Sequence, residues 1–395
     1  MSALHVLYIV PHVPNLTKIR AYMQVRGLIE SGQQVTVATL TRSPADHKHI
    51  EKLTAMGASV IAAPLGRAAM MHNALAALPT TQPLQSRLLW SDDLMQQIEA
   101  HLREHPADII HVEHLRMAAY GLRLTQNWPV VWDAVDNLAS LFQQTARAGA
   151  SWQWRLMARL EAPRLPAYER SLTGQFPATL VISRRDLAAF QQKNSHAERV
   201  RYAPLGIPMQ TSDSDLSRAD KTIIITGTMN YHPNVAAVNH FVDVIFPYIL
   251  RQVPDVQLQL VGANPVKSIQ SYNQHPNVTV TGFVPSVTDY LKQATVALAP
   301  VTYGAGIQIK VLEAFLAETP LVATSMAVRG LDVHHEQQLL IADNPSQFAD
   351  AVVRLLNTPQ LRHQLTREGR RYVESHHDID VTTRQLLDIY RSVMG

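Results

Sequence analysis

Short apolar segments alternate with amphipathic segments along the whole chain. In the first half, the apolar segments predict strands at residues 6–10, 35–39, 59–62, 109–111, 130–132, 178–182 and 200–203. A helix between the first two strands is predicted from apolar residues at helical spacing, namely Ala21, Val25, Leu28 and Ile29. This helix is expected to end at Gly32, since glycine commonly follows the last residue of a helix. This alternation is typical of a parallel α/β sheet with crossover helices.

The second half repeats the pattern. Its apolar segments predict strands at residues 222–226, 257–261, 278–281, 296–298, 321–324 and 339–342. A helix after the first of these strands is predicted from Val238, Phe241, Val242, Ile245 and Ile249. Pro247 is expected to bend or end that helix. A last helix is predicted from about Asp378, with its apolar face formed by Leu386, Leu387, Tyr390 and Val393.

A polar stretch without periodicity, residues 211–217, follows the turn-forming segment of residues 204–208 and predicts an interdomain linker. The predicted organisation is an N-terminal domain over residues 1–205, a C-terminal domain over residues 206–377 and a terminal helix over residues 378–395. Two doubly wound sheets of this kind would face a central cleft at the carboxyl ends of their strands, where ligands bind in such folds. Transferases, epimerases and hinged binding proteins all fit this architecture.

Composition narrows the possible functions. The 395 residues are 46% hydrophobic and 17% charged, which is typical of a globular protein. The formal net charge of +3 fits an anionic small molecule or an anionic membrane surface and falls short of a nucleic-acid-binding signature. The absence of Cys excludes disulfides, thiolate catalysis and Cys-ligated zinc. The N-terminal apolar segment is predicted to be a buried strand and not a signal peptide, so a cytoplasmic location is expected.

Residues 299–324 carry the most informative motif. They predict a strand, a loop with Gly304 and Gly306, a helix and another strand. The glycines allow backbone amides to approach a ligand, and the helix N-terminus favours an anion there. Lys310 adds a positive charge in the first turn, and Glu313 can accept two hydroxyl hydrogen bonds, as a ribose diol requires. A surface ion pair between Lys310 and Glu313 is the alternative interpretation.

This motif resembles the donor site of glycosyltransferase family 4, also called group 1, whose members are retaining enzymes with the two-domain GT-B fold. The similarity extends to residues 203–207, 223–234, 256–262 and 277–284. The resemblance implies that the C-terminal domain binds a nucleotide-sugar donor and that the terminal helix crosses back to the N-terminal, acceptor-side domain. It also implies donor contacts from Gly227, Thr228, Phe283, Val284, Gly304, Gly306, Ile307 and Glu313.

The N-terminal half is similar to a narrower group, the sugar transferases encoded beside exosortase systems. The residues that carry this similarity are the segment 14–22, Asp133, Asp136, Ser140, Glu161, Tyr168 and Glu169. Two departures from the family pattern stand in the other half. The loop of residues 227–233 lacks the Arg and Lys that clamp the donor diphosphate in most members, and Ala305 stands where an acid is usual. The diphosphate is then expected to depend on Lys310, on backbone amides, and on Lys18 or Arg20.

Carboxylates and histidines at predicted strand ends are the candidates for the acceptor side. Asp133 and Asp136 follow a short apolar strand, where they would line an acceptor pocket or cap a helix. His111 and His114 flank another strand end and would touch substrate or be ordinary histidines of the fold. No metal-ligand spacing is present apart from Asp213-Ser-Asp215 in the predicted linker, so neither a metal nor another cofactor is expected.

The sequence therefore predicts a retaining, metal-independent transferase that moves a hexose-type sugar from a nucleoside diphosphate to a sugar, lipid-linked or small-molecule acceptor, in polysaccharide or glycoconjugate biosynthesis. Lys310 would stabilise the charge on the departing diphosphate. Two rivals stay open, a catalytically silent partner subunit and a nucleotide-sugar epimerase on the same fold. Residues 68–78 and the segment around Trp152 and Trp154 would form membrane-surface faces or pack on their own domain, so peripheral membrane contact is a further alternative.

Overall fold

The computed structural model describes residues 3–135, 138–139, 142, 157, 159–192, 194–209, 218–303 and 306–395. Its contacts divide the chain into two compact units. Unit 1 comprises Met1–Ile207 and Ile379–Gly395, and unit 2 comprises Pro208–Asp378. The polar stretch predicted to be a linker, residues 211–217, lies outside the described residues.

Unit 1 is built on a parallel sheet of seven described strands in the order β3-β2-β1-β4-β5-β6-β7. The strands are β1 (His5–Val10), β2 (Gln34–Thr41), β3 (Ser59–Pro64), β4 (Ile109–Glu113), β5 (Val130–Val135), β6 (Ala178–Val181) and β7 (Val200–Tyr202). Its helices are α1 (Ile19–Glu30), α2 (Ala45–Met56), α3 (Arg67–Ala77), α4 (Leu84–Arg87), α5 (Asp92–Glu104), α6 (Ala118–Leu124), α7 (Leu165–Gln175) and α8 (Arg184–Gln191).

Helices cover both faces of this sheet. Alternate strand residues point to opposite faces, so each strand contributes to two apolar clusters. Leu7, Ile110 and Trp132 pack with residues of α5, α6 and α7. Val6 and Val131 pack on the other face with residues of α1 and α2. The fully apolar strands predicted by the sequence are therefore buried on both sides, as a doubly wound sheet requires.

Unit 2 has a second parallel sheet, of six described strands in the order β10-β9-β8-β11-β12-β13. These are β8 (Thr222–Thr226), β9 (Gln257–Val261), β10 (Val278–Gly282), β11 (Val296–Ala299), β12 (Leu321–Ala323) and β13 (Leu340–Ile341). Its helices are α9 (His232–His240), α10 (Phe246–Gln252), α11 (Lys267–Gln270), α12 (Val287–Gln293), α13 (Ile309–Leu316), α14 (Ser325–Val328), α15 (Pro345–Asn357) and α16 (Pro359–His376).

The helix that follows β8 is interrupted where the sequence predicts it. α9 passes into a π-helical turn, Phe241–Ile245, and α10 begins with Pro247 in its first turn. Proline has no N–H to give to the preceding turn, so the regular ladder breaks at this point.

The last helix, α17 (Ile379–Met394), belongs to unit 1, although the whole of unit 2 separates it in sequence from the rest of that unit. Leu386, Leu387 and Tyr390 join the cluster that holds Val6 and Val131. Close packing depends on Gly27 of α1, where a Cβ would lie 2.1 Å from the Thr383 hydroxyl oxygen. α17 therefore completes one face of the first sheet.

All thirteen strands predicted from the sequence are present in the two sheets, and the predicted pair of doubly wound sheets is confirmed. Several strands are longer than predicted, and two of them extend past polar residues. β4 continues to Glu113 and β5 to Val135, past the polar residues His111 and Asp133. None of the described helices has the length and apolarity needed to cross a lipid bilayer.

Candidate functional site

Each sheet has one point where the strand order reverses, and ligands of open α/β sheets bind at the carboxyl ends of the strands there. In unit 1 the reversal lies between β1 and β4, and in unit 2 between β8 and β11. We call these two places the unit 1 and unit 2 switch points. Lys18 and Arg20 follow β1, whereas Gly227 follows β8 and Lys310 follows β11. The two switch points thus carry most of the predicted site residues.

The loop after β8 depends on glycine. Gly227 has a φ of 148°, and a Cβ at this position would lie 2.8 Å from Asn234 Nδ2 and 3.4 Å from Lys310 Nζ. Gly262, after β9, has a φ of 155°, and its Cβ would lie 1.8 Å from the Gly227 carbonyl oxygen. Both positions combine positive φ with a close approach, which only glycine permits at no steric cost. The Gly227 backbone can therefore lie directly against the side chains of Asn234 and Lys310.

Lys310 and Asn234 join the two loops that flank the unit 2 switch point. Lys310, in the first turn of α13, donates a hydrogen bond of 2.9 Å to the side-chain oxygen of Asn234 in α9. The Asn234 amide nitrogen donates in turn to the Thr228 carbonyl at 3.0 Å. Asn234 lies in the segment 223–234 that carries part of the family resemblance, but no role was predicted for it. Asn234 fixes both the ammonium group and the loop.

The ammonium of Lys310 has no ion-pair partner among the described residues. Burial lowers its pKa to about 8, against the attraction of Glu313. Within the part of the chain that the structure describes, no carboxylate lies within 4.0 Å of its ammonium, so Lys310 and Glu313 do not form the surface ion pair considered above. A partly buried cation with a neutral partner is disposed to bind an anion.

Glu313 lies one turn further along α13, half-buried. Burial raises its pKa, which Lys310 opposes. Its carboxylate has no hydrogen-bond partner among the described residues, so its acceptor capacity is unused there. The N-cap residues of α9 and α13, Tyr231 and Gln308, make no side-chain cap hydrogen bond, so neither occupies the first-turn amides of its helix.

The remaining predicted donor contacts have different exposures. Phe283 follows β10 and is 78% exposed, which is unusual for a large aromatic residue. Val284 and Ile307 are half-buried, whereas Thr228 and Gly306, the latter with a φ of 76°, are exposed. Gly304 and Ala305 lie outside the described residues.

The unit 1 switch point is filled by an internal ion pair. Asp133, on β5, is fully buried and accepts hydrogen bonds from Arg20 Nε at 2.9 Å and from the Val135 amide at 3.0 Å. Burial alone would raise the pKa of Asp133, but Arg20 and then His111 outweigh it and hold that pKa at about 2. The second nitrogen of the Arg20 guanidinium lies 2.7 Å from the same carboxylate, and the third donates to the Ala203 carbonyl at 2.9 Å.

Histidine and tyrosine side chains extend this network. His111, on β4, is fully buried and stacks on Tyr8 of β1 with 4.2 Å between ring centroids. Its Nδ1 is 2.8 Å from the hydroxyl of Tyr390 in α17, and its Nε2 is 3.4 Å from Asp133. Burial lowers the pKa of His111, although Asp133 opposes the shift. The network therefore closes on the terminal helix.

These contacts show where three of the predicted site residues lie. Arg20, expected to reach the donor diphosphate, instead neutralises Asp133 inside unit 1. Asp133 and His111, expected at the ends of strands, lie within β5 and β4 and have no exposed surface. These polar side chains can be buried because Arg20 neutralises Asp133, and a buried charge is tolerated when it is paired and hydrogen-bonded. Asp136, the other predicted acceptor-side carboxylate, lies outside the described residues.

Glu113 was not singled out by the sequence analysis. It ends β4 beside the network and accepts a hydrogen bond from the Tyr8 hydroxyl at 3.1 Å. Burial, followed by repulsion from Asp133, raises its pKa to about 7. Backbone strain marks the same edge, since His114 has a φ of 73° and Val135 a φ of 64°. The only sequence signal for Glu113 was its place after an apolar strand, which a surface residue shares.

Comparisons with known proteins agree with this architecture. A sequence profile of the family described as Glycosyl transferases group 1 matches residues 220–358, and one described as Glycosyl transferase 4-like domain matches residues 17–206. Glycosyltransferase 1 domain-containing protein 1 of Xenopus tropicalis is 25% identical over 150 residues, which are 36% of this chain and 44% of the relative. The chain thus spans less than half the length of the curated relatives it matches.

Solved structures match over nearly the whole chain. A sucrose-phosphate synthase from Thermosynechococcus elongatus superposes with a TM-score of 0.70 at 16% identity, covering 99% of both chains. Anabaena Alr3699/HepE, determined in complex with UDP, superposes with a TM-score of 0.69 at 14% identity, covering 98% of this chain and all of the other. At these identities the likeness establishes the fold, and the predicted GT-B fold is confirmed.

Proposed function

Because the group 1 glycosyltransferase profile matches residues 220–358 and the glycosyltransferase 4-like profile matches residues 17–206, we propose that the chain transfers a hexose-type sugar from a nucleoside-diphosphate sugar to an acceptor hydroxyl. The observation that carries this proposal is the unit 2 switch point, where Lys310 holds a partly buried positive charge beside Gly227 without a carboxylate partner in the described residues. A departing diphosphate develops negative charge, and a preorganised cation stabilises it at little reorganisation cost.

In this proposal unit 2 binds the donor and unit 1 holds the acceptor. The diphosphate would lie against Lys310, the backbone of the Gly227 loop and the uncapped start of α13. Glu313 would accept hydrogen bonds from the ribose diol, because its carboxylate is not otherwise engaged in the described part of unit 2. The exposed Phe283 ring would offer a stacking surface for the base. UDP-glucose is the first donor to test, since the Anabaena protein was determined in complex with it.

The proposal includes retention of the anomeric configuration and independence from metal ions. For retention, a donor phosphate oxygen would assist the incoming hydroxyl on the front face of the sugar, so that no protein nucleophile is needed. For metal independence, Lys310 and the loop amides would supply the positive charge that a metal ion can provide. Proton NMR of the product anomer tests the first, and unchanged turnover after treatment with a chelator tests the second.

Peripheral contact with a membrane in glycoconjugate synthesis is part of the same proposal. α3 exposes Met71 at 67% and Leu75 at 59%, and Leu78 follows it at 42%. These positions recur every three to four residues and share one helix face. Co-sedimentation with phospholipid vesicles should fall when Met71 and Leu75 are both replaced by Ser, and unchanged sedimentation would remove this part. The predicted face around Trp152 and Trp154 lies outside the described residues.

Nucleotide titration tests the donor site. In isothermal titration with UDP, Glu313→Gln should weaken binding by about 1–3 kcal/mol, because charge-assisted hydrogen bonds to a diol are lost. Glu318→Gln is the matched control, since Glu318 is an exposed carboxylate just after the same helix. Unchanged affinity in a folded Glu313 variant would remove the ribose role. Tight nucleotide binding with neither transfer nor donor hydrolysis would instead favour the silent partner subunit, for which the cation-free loop of residues 227–233 is the supporting observation.

A further inference from the structure

Three positively charged side chains converge on the carboxyl edge of the first sheet. Lys18 follows β1, Arg42 follows β2 and Arg116 follows β4. We call these three residues the basic arc. None of them takes part in the Arg20–Asp133 network, and in the described residues none has a carboxylate within 4.0 Å. Elsewhere in unit 1, Arg26 and Arg123 have carboxylate partners at 2.7 and 2.8 Å.

The arginines of the basic arc are held in place by neutral groups. Arg42 donates to the Pro11 carbonyl at 2.9 Å and contacts the His12 ring. Arg116 donates from Nε to the Gln85 side-chain oxygen at 2.6 Å. These bonds orient the guanidinium groups without neutralising them, and each keeps nitrogens for a further acceptor. An oriented guanidinium with free N–H groups is suited to bind an oxyanion.

The charges are near enough to act on one another. Burial first and Arg116 second lower the pKa of His114 to about 3, and Lys18 contributes in the same direction. Burial and then Arg42 lower the pKa of Arg116. Gathering like charges at one edge costs free energy that a bound anion would recover.

Carboxylates also lie near the basic arc and act on its charges, Asp46 on Arg42 and Glu161 on Arg116, although in the described residues neither lies within 4.0 Å of the guanidinium. Asp46 accepts from the backbone amides of Arg42 and Ser43 at 2.8 and 2.9 Å. Glu161, fully buried, accepts from the Gln85 amide at 3.2 Å through one oxygen, and its other oxygen has no hydrogen-bond partner in the described residues. Glu113 is bound to Tyr8, and its pKa of about 7 leaves it partly protonated at neutral pH. The edge therefore presents three cations that have no ion-pair partner in the described residues, on the side where open α/β sheets bind their ligands.

We propose that the basic arc binds the phosphate group of an anionic acceptor. This inference rests on the proposed function, because it takes the acceptor to lie on unit 1. Either a phosphate-bearing lipid or a soluble phosphorylated sugar would present this chemistry. Two arginine forks and a lysine match a phosphate or diphosphate better than a single carboxylate, because they offer several donors to several oxygens.

Isothermal titration of the full chain with inorganic pyrophosphate tests the site. Titration in the Lys310→Ala background removes the main cation of the unit 2 switch point. We expect Arg116→Gln to weaken pyrophosphate binding about tenfold and Arg42→Gln to weaken it several-fold, as expected for the loss of charge-assisted hydrogen bonds. Arg103→Gln is the control, since Arg103 is an exposed arginine near the end of α5. Equal affinity in all three variants would overturn the proposal.

Two further measurements identify the source of the phosphate and separate this inference from the donor site. Vesicles of phosphatidylglycerol that bind the wild type, and bind Arg42→Gln and Arg116→Gln less, would assign the phosphate to a lipid. Pyrophosphate binding without vesicle binding would assign it to a soluble acceptor. UDP affinity should stay unchanged in both arginine variants. A loss of UDP affinity alone would mean that the basic arc binds the donor, and it would overturn the inference. Pyrophosphate binding at the basic arc without any UDP binding would count against the proposed function alone.

Discussion

The two switch points have the same topology, but the charged side chains described above are paired in unit 1 and lack an ion-pair partner in the described part of unit 2. In unit 1, Arg20 and Asp133 neutralise each other, and His111 closes the network against Tyr390. In unit 2, Lys310 is held by the neutral Asn234, and the backbone beside it is cleared of side chains by Gly227 and Gly262. The first arrangement satisfies its own charges, whereas the second leaves an ammonium and a carboxylate with capacity to bind.

This difference separates residues that stabilise the fold from residues that bind ligands. A buried ion pair does not by itself favour folding strongly, but breaking one is costly because a charge is left uncompensated. A cation without a carboxylate partner is costly in the free protein and becomes favourable when an anion binds. Changes in the Arg20–Asp133 network should therefore alter stability, and changes at Lys310 and Glu313 should alter binding and turnover.

The largest expected effect is on stability. Arg20→Ala should lower the free energy of unfolding by about 3–5 kcal/mol, because Asp133 would keep a buried charge without its main partner. Urea denaturation followed by circular dichroism measures this. Arg123→Ala is the control, since its ion pair with Glu99 is partly exposed and should contribute at most about 1 kcal/mol. Similar losses in the two variants would contradict the structural role of the Arg20–Asp133 pair.

Next in size is the effect of Lys310 on turnover. Lys310→Ala should lower turnover about 30- to 1,000-fold, equivalent to about 2–4 kcal/mol of transition-state stabilisation. Lys310→Arg should recover part of it, because a guanidinium fork differs in shape from a point charge. The free energy of unfolding should not fall, since no carboxylate loses its partner. Turnover of Lys310→Ala within threefold of the wild type would show that the leaving diphosphate is stabilised elsewhere, with Lys18 the next residue to test.

A smaller effect is expected from pH. Lys310 has a pKa of about 8 in the free protein, so its ammonium is charged below that pH and loses its proton above it. UDP affinity should therefore be constant near pH 7 and fall as the pH rises through 8, approaching tenfold per pH unit at higher pH. Lys310→Arg stays charged throughout and should remove this dependence. Parallel curves for the two proteins would show that another group titrates.

The smallest effect concerns the terminal helix. Tyr390→Phe should cost about 1–2 kcal/mol of unfolding free energy, because His111 Nδ1 loses its hydrogen-bond partner in a buried position. Tyr22→Phe is the matched control, since the Tyr22 hydroxyl on α1 has no hydrogen bond within the described residues. Thermal denaturation compares the two, and UDP affinity should be unchanged in both. Equal stability of the two variants would remove the contribution of this contact.

The apolar pattern was sufficient to predict the strands, because strands buried on both faces have few polar positions. The same pattern placed the ends of β4 and β5 too early, because these strands contain polar residues. His111 and Asp133 were taken as strand ends, since a single sequence does not reveal that Arg20, 113 residues before Asp133, neutralises the carboxylate. The glycine motif pointed to Lys310 because its loop and helix are contiguous in sequence. Asn234, 76 residues away, gave no comparable signal.

By itself, the sequence determined the two α/β halves, the helix break at Pro247 and a resemblance to one glycosyltransferase family, because periodicity and short motifs act over a few turns of chain. Only the tertiary structure decided which charges neutralise each other and which cations are left without carboxylate partners among the described residues. Tyr390 contacts His111 across 279 residues, and Lys18, Arg42 and Arg116 come together only because parallel strands end at one edge. Electrostatic pairing depends on distance in space, which spacing along the chain does not specify.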